Sequence, residues 1–134
     1  MVAISPWTDL TFSGESYTLN RKKDPSLNFG QLQRFASLYG GSRVGDPLVS
    51  PLFGELSGMP RSLIIAGSQE MLLDDAREMA RRLKSYGNRC ELLIEEGLWH
   101  VYVLYGIPEA ATALEKIVEL LEADEDGESA KQEG

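Results

Sequence analysis

The sequence predicts an α/β fold built on a short parallel sheet, and three observations carry that prediction. Two near-continuous apolar runs, SLIIA at residues 62–66 and CELLIE at residues 90–95, have the length of buried strands. An amphipathic stretch with helical spacing lies between them, so that strand, helix and strand follow one another. Such a unit forms a right-handed crossover between parallel neighbours. We therefore expect about three parallel strands with flanking helices.

The first predicted element is a short strand, Val2 to Ser5, which ends at Pro6. It begins almost at the first residue, so we expect one of its edges to be open. Residues 11–31 are polar, and a short helix is predicted after them from Gln31 to Tyr39. This stretch is interpreted as an excursion away from the sheet.

Two helices are predicted in the second half of the chain. The first has an apolar face made of Leu72, Leu73, Ala76, Met79, Ala80 and Leu83. Its other face contains Asp75, Arg77, Glu78, Arg81 and Lys84. A solvated, salt-paired helix face is expected from Arg77, Arg81 and Arg82 with Asp74, Asp75 and Glu78. The second helix opens at Pro108, and its predicted apolar stripe is Ala110, Leu114, Ile117, Val118 and Leu121.

Length and charge indicate one domain followed by an acidic tail. The chain has 134 residues, 43% of them hydrophobic, and a net charge of -8. We assign residues 1–121 to the domain and predict that residues 122–134, with six acids and one lysine, form a disordered tail. A nucleic-acid surface would need a basic stripe, and none is present.

Several other classes are disfavoured by composition. No apolar run approaches the roughly 20 residues that span a bilayer, so no membrane span is expected. The N-terminal residues lack the basic start and apolar stretch of a secretory signal, and a cytoplasmic location is expected. One cysteine, Cys90, and one histidine exclude an internal disulfide and a Cys/His zinc site. We expect no metal or other cofactor.

Two ionisable residues follow the predicted second and third strands. Functional sites of parallel sheets lie beyond the carboxyl ends of the strands. Glu70 lies beyond SLIIA and His100 lies beyond CELLIE, so both side chains should meet at one rim. A carboxylate orients an imidazole and stabilises its protonated form, as in a hydrolytic triad. The alternatives are a packed core histidine for His100 and a helix N-terminal charge for Glu70. No G-x-S-x-G or His-Gly-Gly loop occurs, and Ser68, directly beside the proposed acid, is not a candidate nucleophile.

Four stretches resemble a known family in order and spacing: SPWTDL at residues 5–10, DPLVSPLF at 46–53, GSQEMLLDD at 67–75 and WHVY at 99–102. They are similar to the C-terminal half of the hormone-sensitive-lipase-like bacterial esterases and acetyl-hydrolases, which are α/β-hydrolases. The resemblance implies the C-terminal portion of an α/β-hydrolase fold, with Glu70 and His100 as catalytic acid and base and Asp74 in a structural role.

The same resemblance implies that residues 9–45 are part of a cap insertion over the acyl pocket. Its candidate pocket or cap-packing residues are Leu19, Phe29, Phe35, Leu38 and Tyr39. The family's nucleophile and oxyanion loop precede the strand that starts here at Val2, so the chain is expected to be a hydrolase fragment that is inactive by itself. The full-length parent enzyme would hydrolyse a short-chain ester or lactone without a cofactor. Nothing in the sequence distinguishes these substrates from an amide.

A second hypothesis belongs to a different class. The chain would be a non-catalytic, hydrolase-derived module that binds a small ligand or a partner. In that case the exposed first strand, Val2 to Ser5, offers an edge for self-association.

Overall fold

The computed structural model describes the backbone of residues 1–132 and the side chains of residues 1–123. The chain divides into two compact units, Met1–Tyr102 and Val103–Gly134. The first unit holds all three strands and three helices: β1 Val2–Ile4, α1 Ser16–Leu19, α2 Phe29–Gly40, β2 Ser62–Gly67, α3 Leu73–Ser85 and β3 Cys90–Glu95. The second unit contains α4, Ala111–Gln132. Single 3-10 turns occur at Gly41–Arg43, Pro51–Phe53, Tyr102–Tyr105 and Pro108–Ala110.

The three strands form one parallel sheet in the order β1-β2-β3, which confirms the predicted fold class. Val2 lies opposite Leu63 in β2, and Ser62 lies opposite Cys90 in β3. Every residue of β2 is buried, as its continuous apolar run predicts for a central strand. Because all strands run the same way, their carboxyl ends meet at one rim, where the loops after β2 and β3 begin.

Helix α3 packs against this sheet through the apolar face that its spacing predicts. Ala76, Met79, Ala80 and Leu83 join Ile64 and Ala66 of β2 in one buried cluster. One residue of the predicted solvated face is placed differently, because Asp75 is only 2% exposed. Its Oδ2 accepts hydrogen bonds from the backbone N–H groups of Thr8 and Asp9. The prediction was wrong for Asp75 because those donors belong to a segment almost seventy residues away, which helical periodicity does not report.

The segment after β1 forms α1 and α2, and it shares a second buried cluster with the loop between β2 and α3. Tyr17, Leu32, Met71 and Leu72 are buried together, and Phe29 packs against them. The predicted helix from Gln31 to Tyr39 is confirmed with one more residue at its end and two more at its start, where the Asn28 side chain accepts a bond from the Gln31 N–H. The short helix α1 was not predicted. Of the candidate cap residues, Leu19, Phe35, Leu38 and Tyr39 are exposed.

The second unit differs from its prediction in the apolar stripe of its helix. On α4, Ala113 and Leu120 are buried, whereas Leu114, Val118 and Leu121 of the predicted stripe are about half exposed. The helix extends through Gln132. The disordered tail expected at residues 122–134 stays a prediction, and the side chains of residues 124–134 lie outside the described part of the chain. Among the described residues, no helix combines the length and apolar character that crossing a membrane requires.

Candidate active site

The carboxylate of Glu70 is enclosed at the rim where β2 ends. Glu70 follows the last residue of β2 by three positions and is 0% exposed. Its Oε1 accepts hydrogen bonds from the Gly67 backbone N–H at 2.7 Å and from the Ser5 hydroxyl at 3.1 Å. Burying a carboxylate is costly unless it is hydrogen-bonded or paired, so these donors are needed for this placement.

The imidazole of His100 lies on the other oxygen of that carboxylate. Its Nδ1 is 3.0 Å from Glu70 Oε2, while the side chains of His100 and Glu70 are 21% and 0% exposed. When the carboxylate is ionised and the imidazole is neutral, Nδ1–H donates this bond and Nε2 is left as an acceptor. The structure thus brings the two predicted site residues within hydrogen-bond distance of each other.

Gly67 permits the end of β2 and the loop after β3 to approach each other closely. A Cβ atom added at Gly67 would lie 2.3 Å from the carbonyl oxygen of Leu98 and 2.8 Å from that of Trp99. Both contacts are with backbone two residues or fewer before His100, so a side chain here would push the two loops apart. The sequence indicates this glycine only as the end of an apolar run; its packing role depends on the other loop.

Residues of the segment between α1 and α2 hold the loop that carries Glu70. The Asn20 amide donates to the carbonyl oxygens of Ser68 and Glu70, both at 3.0 Å. Asp24 accepts a bond from the Met71 N–H at 3.0 Å. The partners of the Asn20 and Asp24 side chains are backbone groups, and no sequence motif identifies such partners.

Helix α3 is tied to α1 by Asp74. Its Oδ2 accepts from the Ser16 N–H at 2.8 Å, and the Ser16 hydroxyl also bonds the carbonyl of Met71. This geometry agrees with the structural role expected for Asp74. The loop that carries Glu70 is therefore anchored both by Gly67 of β2 and by the segment that contains α1.

Two non-glycine residues at the rim adopt left-handed backbone conformations. Ser5 has φ +48° and Val101, directly after His100, has φ +52°. Such a conformation costs an L-residue roughly 1–2 kcal/mol, and it persists where surrounding contacts enforce it. The two residues touch, because the Val101 N–H donates to the Ser5 hydroxyl at 2.9 Å.

No serine hydroxyl of this rim is assigned as a nucleophile. The Ser5 hydroxyl bonds Glu70 and Val101, and the Ser68 hydroxyl accepts from the Gly97 N–H at 2.9 Å. Within the part of the chain that the structure describes, no group of three or more His, Cys, Asp or Glu residues is arranged to hold a metal ion.

An apolar cleft of about 400 Å³ lies elsewhere in the first unit, and neither Glu70 nor His100 lines it. Phe35 and Tyr39, two of the candidate pocket residues, are among its walls. The remaining wall residues are Trp7, Leu10, Leu48, Val49 and Pro51.

Comparison with known proteins agrees with the fold. A family model described as the α/β-hydrolase fold matches residues 1–104. The chain belongs to this family. An esterase of Acinetobacter venetianus is 34% identical over 123 residues, which are 89% of this chain and 41% of that protein. An acetyl-hydrolase of Streptomyces hygroscopicus is 36% identical over 117 residues, 85% of this chain and 39% of that protein.

A solved structure extends the likeness of this α/β-hydrolase chain to three dimensions. The crystal structure of an esterase from the bacterial hormone-sensitive lipase family superposes with a TM-score of 0.85 at 39% identity. The match covers 90% of this chain and 41% of the other. The chain therefore spans about two fifths of the length of the relatives it matches.

Proposed function

We propose that this chain supplies two residues of the catalytic triad of a serine carboxylic-ester hydrolase. Glu70 is the acidic residue that orients the histidine, and His100 is the base. The observation that carries the proposal is the 3.0 Å bond between His100 Nδ1 and the fully buried Glu70 carboxylate. Membership of the α/β-hydrolase family supports the same assignment.

In the proposed reaction, Nε2 of His100 removes the proton from a serine hydroxyl as that oxygen attacks the ester carbonyl. The imidazolium so formed is stabilised by the Glu70 carboxylate, and it returns the proton to the leaving alcohol when the ester C–O bond breaks. The same imidazole then deprotonates a water molecule, which attacks the acyl-enzyme and releases the carboxylic acid and the serine. No cofactor enters this scheme.

The nucleophile and the oxyanion loop of the proposed enzyme lie on residues outside this chain. The 134 residues contain no G-x-S-x-G and no His-Gly-Gly, and the relatives are more than twice as long. A short-chain carboxylic ester is the proposed substrate class, because the relatives are named as an esterase and an acetyl-hydrolase. We expect the isolated chain to show no turnover of p-nitrophenyl butyrate. Hydrolysis that disappears in His100→Ala would place a nucleophile within the chain and contradict this part.

A chimera tests the acid and base directly. The part of the Acinetobacter venetianus esterase that precedes the matched segment is fused to this chain, and p-nitrophenyl butyrate hydrolysis is measured. Glu70→Ala and His100→Ala should each lower kcat at least about 10³-fold, as expected for triad members. Glu78→Gln, which removes a carboxyl paired with Arg81 on the outer face of α3, is the control. Activity that survives His100→Ala would refute the proposal.

A second candidate function is partner binding through β1, and the position of that strand favours it. β1 is an edge strand of the sheet, and an apolar groove of about 200 Å³ lined by Met1, Ala3 and Pro6, among others, adjoins it. Unpaired strand edges are templates for another strand. Sedimentation that shows concentration-dependent association, weakened by Ala3→Lys, would support this function. A monomer at all concentrations would exclude self-association.

A further inference from the structure

We propose that Ser5 is a positioning residue for the acid and base, because its buried hydroxyl joins the Glu70 carboxylate to the backbone that carries His100. This inference rests on the proposed function. Ser5 is 4% exposed and directly follows β1, whereas its two partners lie on the loops after β2 and β3. One hydroxyl therefore links all three strand ends.

The direction of each hydrogen bond follows from the chemistry of its partners. The Val101 N–H can only donate, so the Ser5 oxygen accepts there at 2.9 Å. The single hydroxyl proton remains for Glu70 Oε1, at 3.1 Å. The hydroxyl therefore donates one hydrogen bond and accepts the other, so the two bonds do not compete for the same proton.

The bond to Glu70 determines which carboxylate oxygen meets the imidazole. Oε1 already receives the Gly67 N–H and the Ser5 hydroxyl, so Oε2 is the oxygen that faces Nδ1 of His100. Without the Ser5 donor, the carboxylate loses one of the two contacts that fix its rotation. We then expect that Oε2 is no longer the only carboxylate oxygen that faces Nδ1 of His100.

The bond to Val101 fixes the other half of the pair. Val101 follows His100 directly and holds a positive φ, so its N–H bond restrains the backbone from which the imidazole projects. Ser5 is itself in a left-handed conformation that glycine would adopt without strain. Glycine would relieve this strain, but it would lack the hydroxyl that has two partners here.

The experiment uses the only histidine of the full chain as a single spectroscopic probe. The ¹⁵N-labelled protein is studied by long-range ¹H–¹⁵N correlation at about pH 8.5, where imidazoles are neutral. The wild type should show a protonated Nδ1 and an unprotonated Nε2. In Ser5→Gly both ring nitrogens should shift toward the tautomer mixture of free histidine. Exchange of the Val101 amide should also rise at least about tenfold, because its acceptor is gone.

Two further variants separate the hydroxyl from general stability. Ser5→Ala also lacks the hydroxyl but retains the backbone strain, so its His100 spectrum should match that of Ser5→Gly while its stability is lower. Ser62→Ala removes a hydroxyl from a residue that is 1% exposed at the opposite end of β2, and it should leave the spectrum unchanged.

Each outcome decides between the two proposals. A wild-type Nδ1–H that persists in both Ser5 variants would overturn the role of Ser5 and leave the proposed acid–base pair intact. A wild-type imidazole without a protonated Nδ1 would overturn the pair itself, and with it the proposed function. If both Ser5 variants fail to fold while Ser62→Ala folds, the role of Ser5 is structural and the inference is wrong.

Discussion

Replacing the buried carboxyl of Asp75 with an amide should change how folding stability depends on pH. Asp75 Oδ2 accepts bonds from the Thr8 and Asp9 N–H groups, both at 2.8 Å, and the residue is 2% exposed. Burial outweighs these donors and raises the pKa of Asp75 to about 6. An aspartate in an unfolded chain titrates near 3.9, so the folded protein holds this proton more tightly.

The sign and size of the effect follow from that difference. Two pKa units at 1.36 kcal/mol each correspond to about 3 kcal/mol. Because the pKa is raised on folding, the favourable contribution of the protonated Asp75 is fully present below about pH 4. It is lost as the pH rises through about 6. In Asp75→Asn the amide oxygen can still accept the backbone bonds but does not titrate, so this loss should be absent.

Urea unfolding followed by tryptophan fluorescence, at several values between about pH 4 and pH 8, measures the effect. The free energy of unfolding of the wild type, minus that of Asp75→Asn, should fall by about 3 kcal/mol across this range. Subtraction removes contributions from groups common to both proteins. Glu15→Gln, which removes an exposed carboxyl, is the control. Parallel curves for wild type and Asp75→Asn, or a difference that grows with pH, would refute the reasoning.

Two further substitutions test the packing of the rim. Gly67→Ala should lower the free energy of unfolding by about 3 kcal/mol or more, because its Cβ would lie 2.3 Å from the Leu98 carbonyl oxygen. Gly45→Ala, whose Cβ would make only one contact at 4.0 Å, is the matched control; equal urea midpoints for the two variants would contradict this account. Asn20→Ala removes the side-chain donor to the Ser68 and Glu70 carbonyls, of which the latter still accepts from the Leu73 N–H. The substitution should cost about 1–3 kcal/mol by the same assay. An unchanged midpoint would show that the amide does not hold this loop.

Local patterns were sufficient for most of the sheet and for α3. The apolar run of β2 and the periodicity of α3 report burial on a scale of a few residues, and the structure confirms both elements. The same reasoning failed on α4, where Leu114 and Val118 are exposed although they belong to the predicted stripe. Helical spacing identifies an apolar face, but it does not show which part of that face will be covered.

The sequence by itself determined the parallel strand–helix–strand unit and placed Glu70 and His100 at one rim, because strand polarity alone brings carboxyl ends together. Only the tertiary structure decided how that rim is held. The Ser5 hydroxyl reaches residues 65 and 96 positions away, and the fit of Gly67 depends on the backbone of another loop. Such contacts depend on strand register and on loop conformations with positive φ, and neither is encoded in any short stretch of residues.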